Sequence, residues 1–289
     1  GAAEIARDKG YTRYFLHNLG YQVAPGKVFV LPRFQQMIAR NLSRYGVTDY
    51  PVIGQIEAYI DSIGGYPCFI KPNEESQGKG VYKCYDTADV YAALDEYQRE
   101  NFHTLLVEQF IPYVDYRVVI FDGKMIACYL RRPLTLTGDG MTPIRALLAA
   151  KQQTLEAQQR PVVINPDDPR IIARLQRLGL TMDSIPAAGA AIQIYDLSNL
   201  SIGGEAEDFT TRIHPRWRDL CIEITRQMGL RLCGVDFACA NIEDPDAAYS
   251  IIETNSAPGM DNYAMLGEAQ AQIVRDLYRQ IFNEPRRLP

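Results

Sequence analysis

Residues 231–259 read RLCGVDFACANIEDPDAAYSIIETNSAPG, an apolar run, an acidic turn and a second apolar run. Asp236 lies inside the first run, and Glu253 and Asn255 lie in and just after the second. The centre of the turn, near Asp244-Pro245, is equidistant from Asp236 and Glu253. A hairpin closed there sets the two carboxylates opposite each other. Glu253 and Asn255 are two apart and share one face of an extended chain. Oxygen-only donors of this kind suit a hard ion such as Mg²⁺, which completes its shell with water and phosphate oxygens. A solvated pair of acids at a hairpin end has the same spacing.

A hard ion held this way wants a phosphate partner, which directs attention to the basic and glycine-bearing stretches. FIKPNEESQGKGVYKC, residues 69–84, reads as a strand ending near Lys71, a polar loop with Gly78-Lys79-Gly80, and a second strand. No G-x-x-x-x-G-K-[ST] motif occurs there, and a strand rather than a helix follows the glycines. A glycine loop between strands is either a flap whose backbone amides fold over phosphates or a plain hairpin tip. Lys79 reads equally as a phosphate ligand or a solvent-facing cation.

In DYRVVIF, Asp115 and Arg117 share one strand face, and in YLRRP, Arg131 and Arg132 lie across the hairpin from them. Positive charge there would face a transferring phosphoryl group; surface ion pairs are the bland alternative. VEQFIP, residues 107–112, could be a hinge whose backbone meets an adenine edge. His17, His103 and His214 are isolated and read as structural or exposed. No Ser/His/Asp or Cys/His constellation is legible, so nucleophilic catalysis has no support.

The chain of 289 residues is long enough for one large domain or two smaller ones. A net charge of −5 argues against a dedicated nucleic-acid binder. Six scattered cysteines show no zinc spacing and read as buried thiols of a reducing, cytoplasmic protein. No apolar run approaches the roughly 18 residues of a membrane helix. The chain begins with Gly rather than Met, which leaves an upstream segment open.

The periodicity predicts a helix over 8–19 with Tyr11, Phe15 and Leu19 on its core face, then a strand at KVFVLP and helices over 34–45 and 55–63. Thr87 is the expected cap of a helix burying Val90, Leu94 and Tyr97, and Asp122-Gly123 the expected hairpin turn. Thr142 is the expected cap of a helix with Pro143 at its first position. Trp217, Leu220, Ile224 and Met228 mark one helix face, and Ala269, Ile273, Leu277 and Ile281 mark that of a terminal helix. The pattern is α+β, with a lobe boundary near 107–112.

Taken in order, EIARDKGYTRYFL, FIKP…QGKGVY, VEQFIPYVDYRVVIFDGKMIA, RRPLTLTGDGMTPI, INPDDP, NLSIGGEAEDFTTRIHP, GVDFACA and IIETNSAPG resemble the ATP-grasp superfamily. The pattern is nearest to the ATP-grasp portion of the cyanophycin synthetases and the bifunctional glutathione-synthesising enzymes, and runs from about Glu4 to Pro258. The resemblance implies an ATP-grasp fold, two α+β lobes clamping ATP, with the upstream α/β domain largely absent. It implies a linker helix over 1–20, a small lobe over 21–107 and a large lobe over 108–289. Lys9 and Lys71 match the lysines on the ATP phosphates and adenine side, and Gly78 and Gly80 the closing loop. Glu108, Gln109, Phe110 and Ile111 match the adenine hinge, and Asp115 falls near the ribose-binding acid. Arg117 and Arg131 match basic residues facing the γ-phosphate and acyl phosphate. Asp236, Glu253 and Asn255 match the magnesium ligands, and Asn199, Gly203 and Gly204 the acceptor side.

The implied reaction is ATP-dependent ligation of a small-molecule acid and amine, an amino acid or peptide, through an acyl phosphate. ATP and Mg²⁺ are the implied cofactors, two ions being expected and Mn²⁺ an accepted substitute. Neither nucleic acid nor membrane is expected as a partner, and a homodimer is left open. The alternative is an ATP-binding module without independent activity, part of a larger protein or complex.

Overall fold

The computed structural model describes residues 1–47, 49–75, 78–160 and 162–283. Ser76 and Gln77 of the glycine loop, and the end of the expected large lobe, lie outside them. In chain order the elements are α1 (Ala2–Arg7), α2 (Lys9–Asn18), β1 (Gly26–Val30), α3 (Pro32–Ser43), α4 (Ile56–Ser62), β2 (Cys68–Pro72), β3 (Tyr82–Cys84), α5 (Thr87–Arg99) and β4 (Thr104–Gln109). There follow β5 (Val114–Phe121), β6 (Lys124–Arg132), β7 (Thr135–Thr137), α6 (Ile144–Ala157), α7 (Pro169–Arg177), β8 (Ala191–Gln193) and β9 (Glu205–Asp208). The last are α8 (Pro215–Gln227), β10 (Leu232–Cys239), β11 (Tyr249–Asn255), α9 (Asp261–Ala264) and α10 (Glu268–Asn283).

Two compact units result, one of Gly1–Tyr113 with Ala248–Ser256, the other of Val114–Ala247 with the chain from Ala257 onward. The first unit holds an antiparallel sheet in the order β1-β4-β2-β3. Phe29, Ile60, Ile70, Val90, Tyr97 and Leu105 form its core. Val90, Leu94 and Tyr97 of α5 are buried as their spacing requires, but Asp86 is the cap, its side chain accepting from Asp89 N at 3.0 Å. Asp is at least as good a cap as Thr, and it stands one residue earlier.

The inward face of α2 departs from expectation. Tyr11, Phe15 and Leu19 are exposed, whereas Thr12 and Leu16 are buried. Thr12 tolerates burial because its hydroxyl donates to Ile5 O at 2.9 Å. A narrow i, i+4 stripe carries the packing, and the aromatic residues lie on the other side. Both α1 and α2 pack against β11, which is tied to the unit by a parallel bridge from Ile251 to Val23 and by Ile251 N donating to Gln22 O at 2.8 Å.

In the second unit β10, β5, β6 and β9 are neighbours in that order, antiparallel throughout. Asp122 and Gly123 join β5 to β6 with φ of 44° and 74°, the left-handed pair that a two-residue hairpin turn demands. On α8, Trp217 packs on Phe237 of β10 with ring centroids 5.5 Å apart. A separate core of Leu136, Ile144, Leu148, Ile171 and Leu175 holds α6 and α7 over β7 and β8. Pro143, not Thr142, is the N-cap of α6, because Thr142 is taken into the preceding turn by Asp139.

Candidate functional site

In the first unit the pairing of β2 with β4 sets Lys71 opposite Leu106 and Phe69 opposite Glu108. Lys71 and Glu108 are therefore diagonal neighbours on one sheet face, within reach of long side chains. Lys71 Nζ donates to Glu108 Oε1 at 2.5 Å, and both side chains are buried. Lys9 begins α2, its backbone N donating to Asn73 O at 3.2 Å and its Nζ to Glu75 O. Burial pulls the Lys9 ammonium below the ordinary lysine range; Glu253 opposes that, Lys71 adds to it, and Glu108 and Glu75 oppose it more weakly. The first unit thus gathers Lys9, Lys71, Glu108 and Glu253 into one electrostatic cluster.

The side chain of Glu108 is the group that sequence reasoning missed, since the resemblance assigned its backbone to a hinge. In the structure Glu108 and Gln109 end β4 with their backbones in the ladders, and Gln109 N donates to Pro25 O at 2.8 Å. Phe110 and Ile111 lie beyond the strand, with Phe110 packed on Phe69 and the Lys83 ammonium over its ring at 3.6 Å. The arginine Arg13 was also missed; it is half-buried, donates to Ala24 O and feels the Glu108 charge.

Gly78 and Gly80 both have positive φ, 74° and 65°. A Cβ on Gly80 would meet Pro72 Cγ at 2.9 Å, and the Gly80 carbonyl accepts from the buried Tyr97 hydroxyl. Tyr97 also donates to Ile70 O at 3.0 Å. The Gly80 end of the loop is therefore tied to the core through Tyr97. Lys79 is exposed, 3.6 Å from Glu100 and over the Phe102 ring.

In the second unit, Asp115 and Asp236 flank two arginines. The registers Asp236–Arg117 and Asp115–Arg131 set them on neighbouring strands. Arg117 grips Asp236 through Nε and through NH2, the latter at 2.9 Å, and Arg131 NH2 reaches Asp236 at 3.0 Å and Asp115 at 2.7 Å. Burial opposes the charge on both guanidiniums, and the facing carboxylates outweigh it, so both stay protonated. Burial also pushes the Asp115 carboxyl up to about 6, with Arg131 pulling against it and Asp236 adding to it. Arg131 Nε is buried with no hydrogen-bond partner, an orphan donor of the kind an incoming anion satisfies.

Asn199, Gly203 and Gly204 form one tight turn. Asn199 Oδ1 accepts from Ser201 N at 3.0 Å, and Gly203 has φ 97°. A Cβ on Gly204 would stand 2.6 Å from Arg132 O. Arg160 closes the turn, donating to Leu200 O and Gly204 O at 2.9 and 2.8 Å.

The expected metal ligands divide between the units, Asp236 in the second, Glu253 and Asn255 in the first. Asn255 Nδ2 donates to Glu253 Oε1 at 3.3 Å, which leaves its Oδ1 as an acceptor. Asp236 takes arginine donors on both oxygens, its Oδ2 facing both Arg117 NH2 and Arg131 NH2. Among the described residues no three His, Cys, Asp or Glu side chains gather in a metal-holding group. Within the first unit, the Glu253 carboxylate and an amide oxygen suit a hard cation that draws its remaining ligands from water and phosphate.

Residues 193–277 match the family model described as the RimK-like ATP-grasp domain. The chain is 31% identical over 216 residues to the glutathione biosynthesis bifunctional protein GshAB of Mannheimia succiniciproducens, covering 69% of this chain and 28% of that protein. It is 27% identical over 267 residues to the cyanophycin synthetase of Crocosphaera subtropica, covering 89% of this chain and 28% of that one. The chain thus spans less than a third of these relatives. Among solved structures, a D-alanine–D-alanine ligase from Bacillus anthracis superposes with TM-score 0.53 at 12% identity, covering 97% of this chain and 69% of that one. A bifunctional glutathione synthetase from Pasteurella multocida superposes with TM-score 0.52 at 22% identity, covering 96% and 36%. These two likenesses show the fold. Among the described residues no helix is long and apolar enough to cross a membrane.

Proposed function

We propose, from the match of residues 193–277 to the RimK-like ATP-grasp domain model, that the chain is an ATP-dependent carboxylate–amine ligase, joining a small-molecule acid to an amino acid or peptide amine. The observation that carries the reading is the pair Lys9 and Lys71, two lysines gathered in the first unit beside Glu253. The two ammoniums, Lys71 buried and Lys9 half-buried, repel each other, and a polyphosphate relieves them.

Lys9 and Lys71 bind the phosphate chain, with the backbone at Gly78 and Gly80 closing over it. Phe110 and Ile111, beyond the end of β4, meet the base with Glu108 and Gln109 behind them. Asp115 takes the ribose. Arg117 and Arg131 offset the negative charge that develops on the transferred phosphoryl group, and the orphan Nε of Arg131 supports that assignment. The turn at Asn199, Gly203 and Gly204 supports the acceptor. Asp236, Glu253 and Asn255 would hold Mg²⁺, two ions with Mn²⁺ as substitute, which when bound neutralises phosphate charge. The residues of the chain position reactants and balance charge, and no side-chain nucleophile is needed. Six buried free thiols among the described residues support a cytoplasmic protein.

The deciding experiment screens amino acids and small peptides for amine-dependent ADP release, with Glu253→Ala as control. Release that needs an acid–amine pair and disappears in the variant supports ligation. ATP binding without release by any pair would favour a nucleotide-binding module without independent activity.

A further inference from the structure

Cys68 and Cys84 are directly opposite one another in the β2–β3 ladder, and both are fully buried. Opposed residues of an antiparallel pair have Cα atoms about 4.5 or 5.5 Å apart and project to the same face. A disulfide accepts Cα separations of about 4.4–6.8 Å. Of the six cysteines, the other four face Val118, Ile120, Val114 or a helix interior, so none of them has a cysteine as its ladder partner among the described residues.

We propose that Cys68 and Cys84 form a reversible intramolecular disulfide that staples β3 to β2. Access comes from topology. β3 has only three residues and is the edge of its sheet, paired on one side alone, so local opening breaks few contacts. With β3 opened, the two opposed sulfurs are both uncovered, Cys68 attacking and Cys84 resolving.

The oxidant is a low-molecular-weight disulfide. The Cys68 thiolate attacks one of its sulfurs, the S–S bond breaks, and one small thiol leaves with a proton. Cys84 then loses its proton, displaces the second small thiol from Cys68, and the protein S–S bond forms. The protein has lost two protons and two electrons, and the small disulfide has become two thiols. The closed loop contains Lys71, Gly78 and Gly80, so the staple fixes both ends of the glycine loop. The inference does not rest on the ligase reading.

The test incubates the reduced, folded chain with oxidised glutathione and measures intact mass without reductant, then maps peptides. The expected result is the loss of two hydrogen masses, a linked Cys68–Cys84 peptide, and reversal by dithiothreitol. Hydrogen exchange at 82–84 should slow at least tenfold in the oxidised protein, on the order expected when a short loop is closed. In Cys84→Ala, glutathione should remain trapped on Cys68. Six thiols still free, glutathione retained on the wild-type chain without closure, or a link between other cysteines would each overturn the proposal. The wild-type arm decides the question even if the variant does not fold.

Discussion

Lys71 Nζ stands 2.5 Å from Glu108 Oε1, and neither partner is more than a tenth exposed. The pair is a product of register, since Phe69 faces Glu108 and Lys71 lies two residues further along the same face. Glu108 compensates a cation that the sheet has removed from water, and it does so from the strand that leads to Phe110 and Ile111.

Removing one member is therefore costly. Glu108→Ala should destabilise the first unit by about 3 kcal/mol, because it leaves an ammonium buried without its partner. The double change Lys71→Met with Glu108→Leu should recover most of that loss while still failing to bind ATP. Urea unfolding monitored by fluorescence, with equilibrium ATP binding beside it, checks both outcomes.

Tyr97→Phe should cost roughly 1–2 kcal/mol, the loss of a hydroxyl whose one proton is shared between two carbonyls. Those carbonyls belong to Ile70 and Gly80, so the damage should concentrate at the glycine loop. Thermal unfolding gives the size, and protease cleavage near residue 78 gives the location.

Arg131→Met should destabilise the second unit by about 3–5 kcal/mol, since it strips a shared partner from the two carboxylates of Asp115 and Asp236. Asp115→Asn in the same chain should restore part of the stability. Amine-dependent ADP release should be lost in both.

Asp115 should titrate with a midpoint at about 6 in a carboxyl NMR experiment. Its folded value lies above the ordinary 3.8, so the folded state holds the proton more tightly than the unfolded state does. That contribution to stability is complete below the ordinary value and lost as pH rises through about 6. Stability curves of wild type and Asp115→Asn should diverge across this window. Parallel curves would show that Asp115 ionises normally.

Much of the fold was legible where local chemistry decides it. Asp122-Gly123 admits the hairpin that it forms, and Val90, Leu94 and Tyr97 bury the face their spacing describes. The inward face of α2 was not legible, because Tyr11, Phe15 and Leu19 offer an apolar stripe, yet Thr12 and Leu16 are the residues buried. The Lys71–Glu108 pair was equally hidden, since it depends on a ladder between strands far apart in sequence. In the second unit the proximity of Asp115, Arg117 and Arg131 was readable from strand alternation, but the grip of both arginines on Asp236 required the pairing of β10 with β5.

The excursion of residues 248–256 into the first unit has a consequence for the order of events during synthesis. When Tyr113 leaves the ribosome, α1 and α2 have been made, but the strand they pack against is still untranslated. The nascent chain must hold that face open until Ile251 arrives to meet Gln22 and Val23. Assembly of α1 and α2 is therefore late and non-local, although both are translated before the rest of their unit. A fragment ending at residue 113 should lack a settled α1–α2 segment, and a circular permutant that places 248–256 ahead of residue 1 should settle it sooner.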